Sequence, residues 1–194
     1  MKKERPRPDG SCKNGSGIHL RELAEVYHPG ITTHFGSVLA EAAAVCLDSQ
    51  DHKNGVQLRM SGEFSALHPL IWEKVTDQMR RSYADEQVAT EHGAYGIAVL
   101  IIDRHAGLKV VERSRKGTGF DLWLGTEDRH GPYFQNKARL EVSGIRTGND
   151  SQLRRRVKEK LQQTTVSDKM KLPAFVAVTE FGTPRTEVVK KCSQ

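Results

Sequence analysis

The chain predicts an α/β (α+β) fold in which a central mixed sheet is flanked by helices. Runs with strand-like alternation recur between segments of helical period, as in Val56, Leu58 and Met60 against Leu153, Val157 and Leu161, and such interleaving lays helices on a sheet. The 194 residues, 37% hydrophobic and 28% charged, suffice for one folded domain with a real core. No internal repeat or interdomain linker is visible, so residues 18–194 are expected to form a single domain. Residues 1–17, MKKERPRPDGSCKNGSG, are almost without apolar side chains and read as a flexible basic arm.

Taken in order, residues 18–27 carry Ile18, Leu20, Leu23 and Val26 near helical spacing and end at Pro29-Gly30. HFGSVLAEAAAVCLDSQ reads as a buried helix because small and apolar residues cover almost every face. HKNGVQLRMSG begins as a turn and then alternates, with Gln57, Arg59 and Ser61 opposite the apolar row, as in a half-exposed strand. Residues 76–92 are polar with sparse apolar points, a surface helix that Gly93 would stop. The run AYGIAVLIID suits a central strand, and the short RHAG link to LKVVERS implies a hairpin. FDLWLG and ARLEVSGI follow as strands, separated by the turn-like TEDRHGPYFQ. Asn149 and Gln152 have capping-box spacing at the head of the helix DSQLRRRVKEKLQQ, and LPAFVAVTEFG supplies a last buried strand.

Charge is distributed unevenly. Residues 104–160 hold fourteen Lys or Arg against seven Asp or Glu, whereas the rest of the chain is nearly balanced, so the net +6 lies in one region. A basic surface of this kind is the footprint of a phosphate-rich partner, and nucleic acid is the expected one, with a protein partner or a second copy of the chain as alternatives. Cys12, Cys46 and Cys192 are scattered and lack paired spacing, which argues against a disulfide framework or zinc knuckle. No run is long enough to cross a bilayer and no leader-like segment is recognisable, so a cytoplasmic location without membrane association is expected.

Two acids stand out within the basic region. The glycine turn of RKGTGFDLWLG delivers Asp121 to the head of one apolar strand, and Glu141 lies on the next, in NKARLEVSG. Neighbouring carboxylates repel unless a cation or proton lies between them. Mg²⁺ or Mn²⁺ suits the role, since such ions take hard oxygen ligands from one or two carboxylates and complete their shell with water and phosphate oxygens. Alternation sets Lys137, Arg139, Glu141 and Ser143 on one face of their strand, with Ala138, Leu140 and Val142 on the other. The glycines of KGTGFD would let backbone amides approach a phosphate. Arg113, Arg115, Lys116, Arg139, Arg154, Arg155 and Lys158 are the candidate nucleic-acid contacts.

The order helix, hairpin, strand with Asp121, strand with Glu141, helix, strand resembles the core of the PD-(D/E)xK restriction-endonuclease-like superfamily, over residues 76–181. The resemblance implies a metal-dependent nuclease, a hydrolase of phosphodiester bonds, in which Asp121 and Glu141 hold the metal and a helical acid joins them. Glu91 is the best placed for that, ahead of Glu86 and Glu41. The family's strand motif is Glu-x-Lys; here it reads Glu141-Val142-Ser143, and no proline precedes Asp121. Serine is a poor base, so Lys137 or Lys116 is expected to replace the lysine in the catalytic set of Asp121, Glu141 and Ser143. A second function is compatible with the same residues: a non-catalytic subunit that binds nucleic acid or protein within a larger assembly through a degenerate nuclease fold. A phosphate-loop enzyme is disfavoured because the glycine turn leads into a strand instead of a helix N-terminus.

Overall fold

A computed structural model describes residues 16–126 and 135–192. The elements run β1 (Ile18–His19), α1 (Glu22–Glu25), α2 (Thr33–Asp48), β2 (Gln57–Gly62), β3 (Ala66–Ile71), α3 (Asp77–Ser82), α4 (Glu86–Ala106), β4 (Lys109–Arg113), β5 (Leu122–Thr126), β6 (Gln135–Ile145), α5 (Asp150–Gln163), a 3-10 helix (Thr164–Met170), β7 (Ala174–Glu180) and β8 (Arg185–Lys191). The fold is mixed α/β, with an eight-stranded sheet in the order β1-β3-β2-β8-β7-β6-β5-β4. β6 runs parallel to β7 and β2 parallel to β8, whereas the β4-β5-β6 meander and the β7-β8 pair are antiparallel. Most of the basic arm and the TEDRHGPYFQ turn lie outside the described residues; the end of the arm is held, since Arg104 donates to the carbonyls of Ser16 and Gly17, each at 2.8 Å.

Two helical layers cover the sheet. The main core places α2 and α4 over one face, against Leu122, Leu124, Leu140, Val142 and Ala177. On the other face, Leu153 and Val157 of α5 pack on Val176 and Val178. β6 is therefore covered on both sides, and its alternation sorts apolar residues to the α4 layer and Arg139, Glu141 and Ser143 to the α5 layer. The Asn149–Gln152 capping box that begins α5 is present as its spacing predicts.

Several expectations are corrected. AYGIAVLIID is the second half of α4, a helix of 21 residues with twelve buried ones, so the link to β4 follows a helix and the hairpin expected there does not form. Gly93 does not stop this helix: a Cβ there would lie 3.0 Å from the Ala43 Cα, so glycine permits the close crossing of α2 and α4. The stop is Gly107, in the left-handed conformation with φ 64°. Residues 18–27 are not one helix, because Ile18–His19 pairs with β3 before the short α1 begins. β3 and β8, which the periodicity leaves unassigned, complete one half of the sheet.

Candidate functional site

The antiparallel pairing of β5 with β6 ends early. Leu122 faces Leu140, the Asp121 N–H donates to the Leu140 carbonyl at 2.9 Å, and β6 then continues alone on that edge to Ile145. In place of a further strand rung, the Asp121 side chain accepts the Val142 N–H at 2.8 Å through Oδ2. A carboxylate substituting for a neighbouring strand is thereby pinned beside Glu141, one residue away on β6.

Glu141 is 1% exposed. Its Oε1 accepts from Lys160 Nζ of α5 at 2.6 Å, and its Oε2 is buried with no donor among the described residues. Burial pushes the carboxyl up to about 7, the Asp121 charge adds to the rise, and the Lys160 ammonium opposes it. Lys160 reaches the site because it flanks the Leu153, Val157 stripe that seats α5 on the sheet. Arg156, one turn earlier, meets β6 in the same way and donates to Ser143 Oγ at 2.9 Å.

These groups line or border a cleft of about 890 Å³ between the N-terminal half of α4, the free end of β6 and α5. Glu91 and Tyr95 stand on its α4 wall, Arg113 comes from β4, and Arg146 follows β6. Glu91 is exposed and takes a hydrogen bond from Gln87 at 3.1 Å. Glu91 and Asp121 line the same cleft, and among the described residues no group of three or more His, Cys, Asp or Glu is arranged to hold a metal. Glu86 also lines the cleft, near Arg146 at 3.7 Å, while Glu41 does not line it.

The lysine that the fold brings to Glu141 is Lys160, a residue the strand motif does not point to. Lys137 lies four residues before Glu141 on β6, roughly 13 Å along an extended strand, and lines a separate hollow with Phe64 and His105. Lys116 and Arg115 are exposed in the glycine turn, outside the cleft. That turn is no phosphate cradle at Gly119, where φ is 81° and a Cβ would lie 2.4 Å from the Gln163 carbonyl; it docks on the end of α5. Arg139, expected to meet nucleic acid, is 1% exposed. Its guanidinium donates to Ser167 Oγ and the Leu172 carbonyl, both at 2.6 Å, and to the Thr164 carbonyl and Asp168, so it anchors the 3-10 segment. Arg154, Arg155 and Lys158 are exposed on the outer side of α5, Arg155 in a 3.4 Å pair with Glu159. One sequence signal leads to Lys160 and Arg156: cations that border an apolar helical stripe are the ones that reach a sheet beneath.

The donor set suits a hard divalent cation. Two adjacent carboxylates, one with a buried oxygen that meets no donor among the described residues, could share such an ion, and below about pH 7 a proton takes that place on Glu141. Comparisons with protein-family models, with curated proteins and with solved structures found no match.

Proposed function

We propose that the protein is a divalent-metal-dependent nuclease of the PD-(D/E)xK kind, hydrolysing phosphodiester bonds of nucleic acid in the cleft between α4 and α5. The observation that carries the reading is the unfinished shell of Glu141, with Oε2 donorless beside Asp121 and Oε1 held 2.6 Å from Lys160. The element order α4, β4, β5, β6, α5, β7 supports it: Asp121 immediately precedes β5, Glu141 lies on β6, and the cation at Glu141 comes from α5 and not from the strand position two residues on. Asp121 and Glu141 would hold Mg²⁺ or Mn²⁺, which would supply Lewis acidity to activate water and offset the charge that grows on the phosphate.

The chain's own residues do the rest. Asp121 is fixed by the Val142 amide, so its carboxylate needs no reorganisation to face Glu141. Lys160 has three donors, of which Glu141 and Gln163 take two, at 2.6 and 3.1 Å. The third takes no acceptor among the described residues and is left for an attacking water or a phosphate oxygen, and the ammonium charge opposes the rise that burial imposes on the Glu141 carboxyl. Arg113, Arg146 and Arg156 supply the cleft with positive charge for a polyanion, and the exposed Arg154 and Lys158 extend it along α5.

The test is incubation of single-stranded, double-stranded and structured DNA and RNA with Mg²⁺ or Mn²⁺, using the native protein, Asp121→Asn, Glu141→Gln and Lys160→Met. Divalent-dependent cutting by the native protein and its loss in all three folded variants is the expected result. Cutting that survives in the acid variants would sink the assignment. No cutting by the native protein would return the alternative, a non-catalytic nucleic-acid-binding subunit.

A further inference from the structure

Arg156 is held in the cleft by one nitrogen and unfinished at another. Its Nη1 donates to Ser143 Oγ at 2.9 Å and lies 3.4 Å from the Gly144 carbonyl, and its Nε is 3.5 Å from Glu159. Nη2 makes no hydrogen bond among the described residues, and the side chain is 40% exposed at the cleft wall. Glu159 is itself 55% exposed and shared with Arg155, so it leaves the guanidinium charge largely uncompensated. A planar fork tethered at one tip presents its remaining donors in a fixed direction, the arrangement that recognises a tetrahedral oxyanion.

Ser143 is the other half of this arrangement. A lysine two residues beyond Glu141 would set an ammonium where the serine oxygen now accepts from Arg156, and the two cations would repel. With serine there, α5 supplies both cations to β6: Lys160 to Glu141 and Arg156 to Ser143. Residues four apart on a helix have Cβ atoms about 5–6 Å apart, a spacing of the order of one phosphate step along a nucleic-acid strand.

We infer that Arg156, oriented by Ser143, is a substrate-binding residue that grips the phosphodiester adjacent to the one at Asp121, Glu141 and Lys160. The inference rests on the nuclease reading and adds to it the direction of the strand: along α5, from Lys160 toward Arg156.

The experiment measures KM and kcat for cleavage of a fluorescein-labelled 20-nucleotide DNA, single-stranded and as duplex, and in parallel its Kd by anisotropy with Ca²⁺ in place of Mg²⁺. The variants are Arg156→Ala, Arg156→Lys, Ser143→Ala and, as a charge-matched control, Lys169→Ala, whose side chain is exposed on the 3-10 helix outside the cleft. Loss of one charge-assisted contact predicts a rise in KM and Kd of roughly tenfold or more for Arg156→Ala, with kcat within about threefold. Arg156→Lys recovers part of the loss, Ser143→Ala shows a smaller rise, and Lys169→Ala stays near the native values. A fall in kcat at unchanged KM and Kd, or equal effects of Arg156→Ala and Lys169→Ala, overturns the inference, as does a native protein that binds neither DNA. Native binding that depends on Arg156 without any cleavage supports the phosphate grip while removing the nuclease reading.

Discussion

Two glutamates are buried in adjacent strands, and they differ in how completely the fold satisfies them. Glu180, at the end of β7, is 0% exposed, and Glu141, in β6, is 1% exposed. Glu180 accepts the Gly182 and Gly148 amides through Oε1 at 2.7 and 3.2 Å and the Thr183 amide through Oε2 at 3.0 Å, with Arg185 Nε 3.2 Å away. Its carboxylate is a template for the β7-β8 turn. Glu141 has one ammonium, one oxygen without a donor and a second carboxylate beside it. Burial of an acid therefore does not by itself separate a structural role from a functional one; the two differ in the completeness of the shell, and the unsatisfied Glu141 oxygen is the feature on which the proposed metal site rests.

The largest expected contrast is in activity. Glu141→Gln or Asp121→Asn should lower divalent-dependent cleavage roughly a hundredfold or more while leaving a cooperative fold. Comparable residual cutting in either variant breaks the comparison at its functional end. At the structural end, Glu180→Ala should cost about 3 kcal/mol in urea denaturation, since it leaves buried amides and Arg185 without their acceptor. Glu141→Gln at pH 8 should cost little or add stability, and equal losses in the two variants would mean that the glutamates do not differ as argued.

A pH profile sharpens the same point. The Glu141 carboxyl lies at about 7 in the fold against 4.5 for the free group, so between these values the native state holds a proton that the unfolded chain releases. Glu141 thus favours folding least above pH 7, and its contribution should fall as pH rises from 4.5 to 7, by at most about 3 kcal/mol. Subtracting the Glu141→Gln profile from the native one isolates this slope; parallel profiles would contradict it. Saturating Mg²⁺ should raise the native Tm at pH 8 by linkage and leave that of Glu141→Gln closer to its metal-free value, as read by thermal melting with and without EDTA. The smallest effects belong to the outer side of α5: Arg154→Ala and Lys158→Ala should each weaken nucleic-acid binding a few-fold for all sequences and reduce the salt slope by about one.

Much of the site was readable from the chain. Asp121 and Glu141 were paired by two strand patterns separated by a turn, and β6 alternates in the register its residues imply. The helix α5 was marked by its capping box and stripe. Three other features were hidden for physical reasons. The run AYGIAVLIID is helical because α4 is buried between α2 and the sheet, and a helix apolar on nearly all sides shows no period to distinguish it from a buried strand. Arg139 shares a face with Glu141, yet only the path of residues 164–172 over that face turns it into a buried anchor. β3, ALHPLI, carries a proline and a buried histidine, and β8, RTEVVKK, buries a threonine among charged residues, so neither shows a clean apolar alternation; hairpins to β2 and β7 hold them in the sheet.

What the sequence determined by itself was the local pattern: an acid just ahead of one strand, a second within the next, a cationic helix after them, and serine two residues beyond the second acid. Periodicity and capping are local properties, carried by residues within a turn or two of one another. Tertiary structure alone decided which cation serves Glu141. Lys116, Lys137 and Lys160 are chemically alike, and the choice among them follows from where β5 stops pairing and how α5 seats its Leu153, Val157 stripe on Val176 and Val178. That packing brings Lys160 to 2.6 Å from a buried carboxylate and leaves the other two outside the cleft, because proximity across a fold is set by how its layers meet.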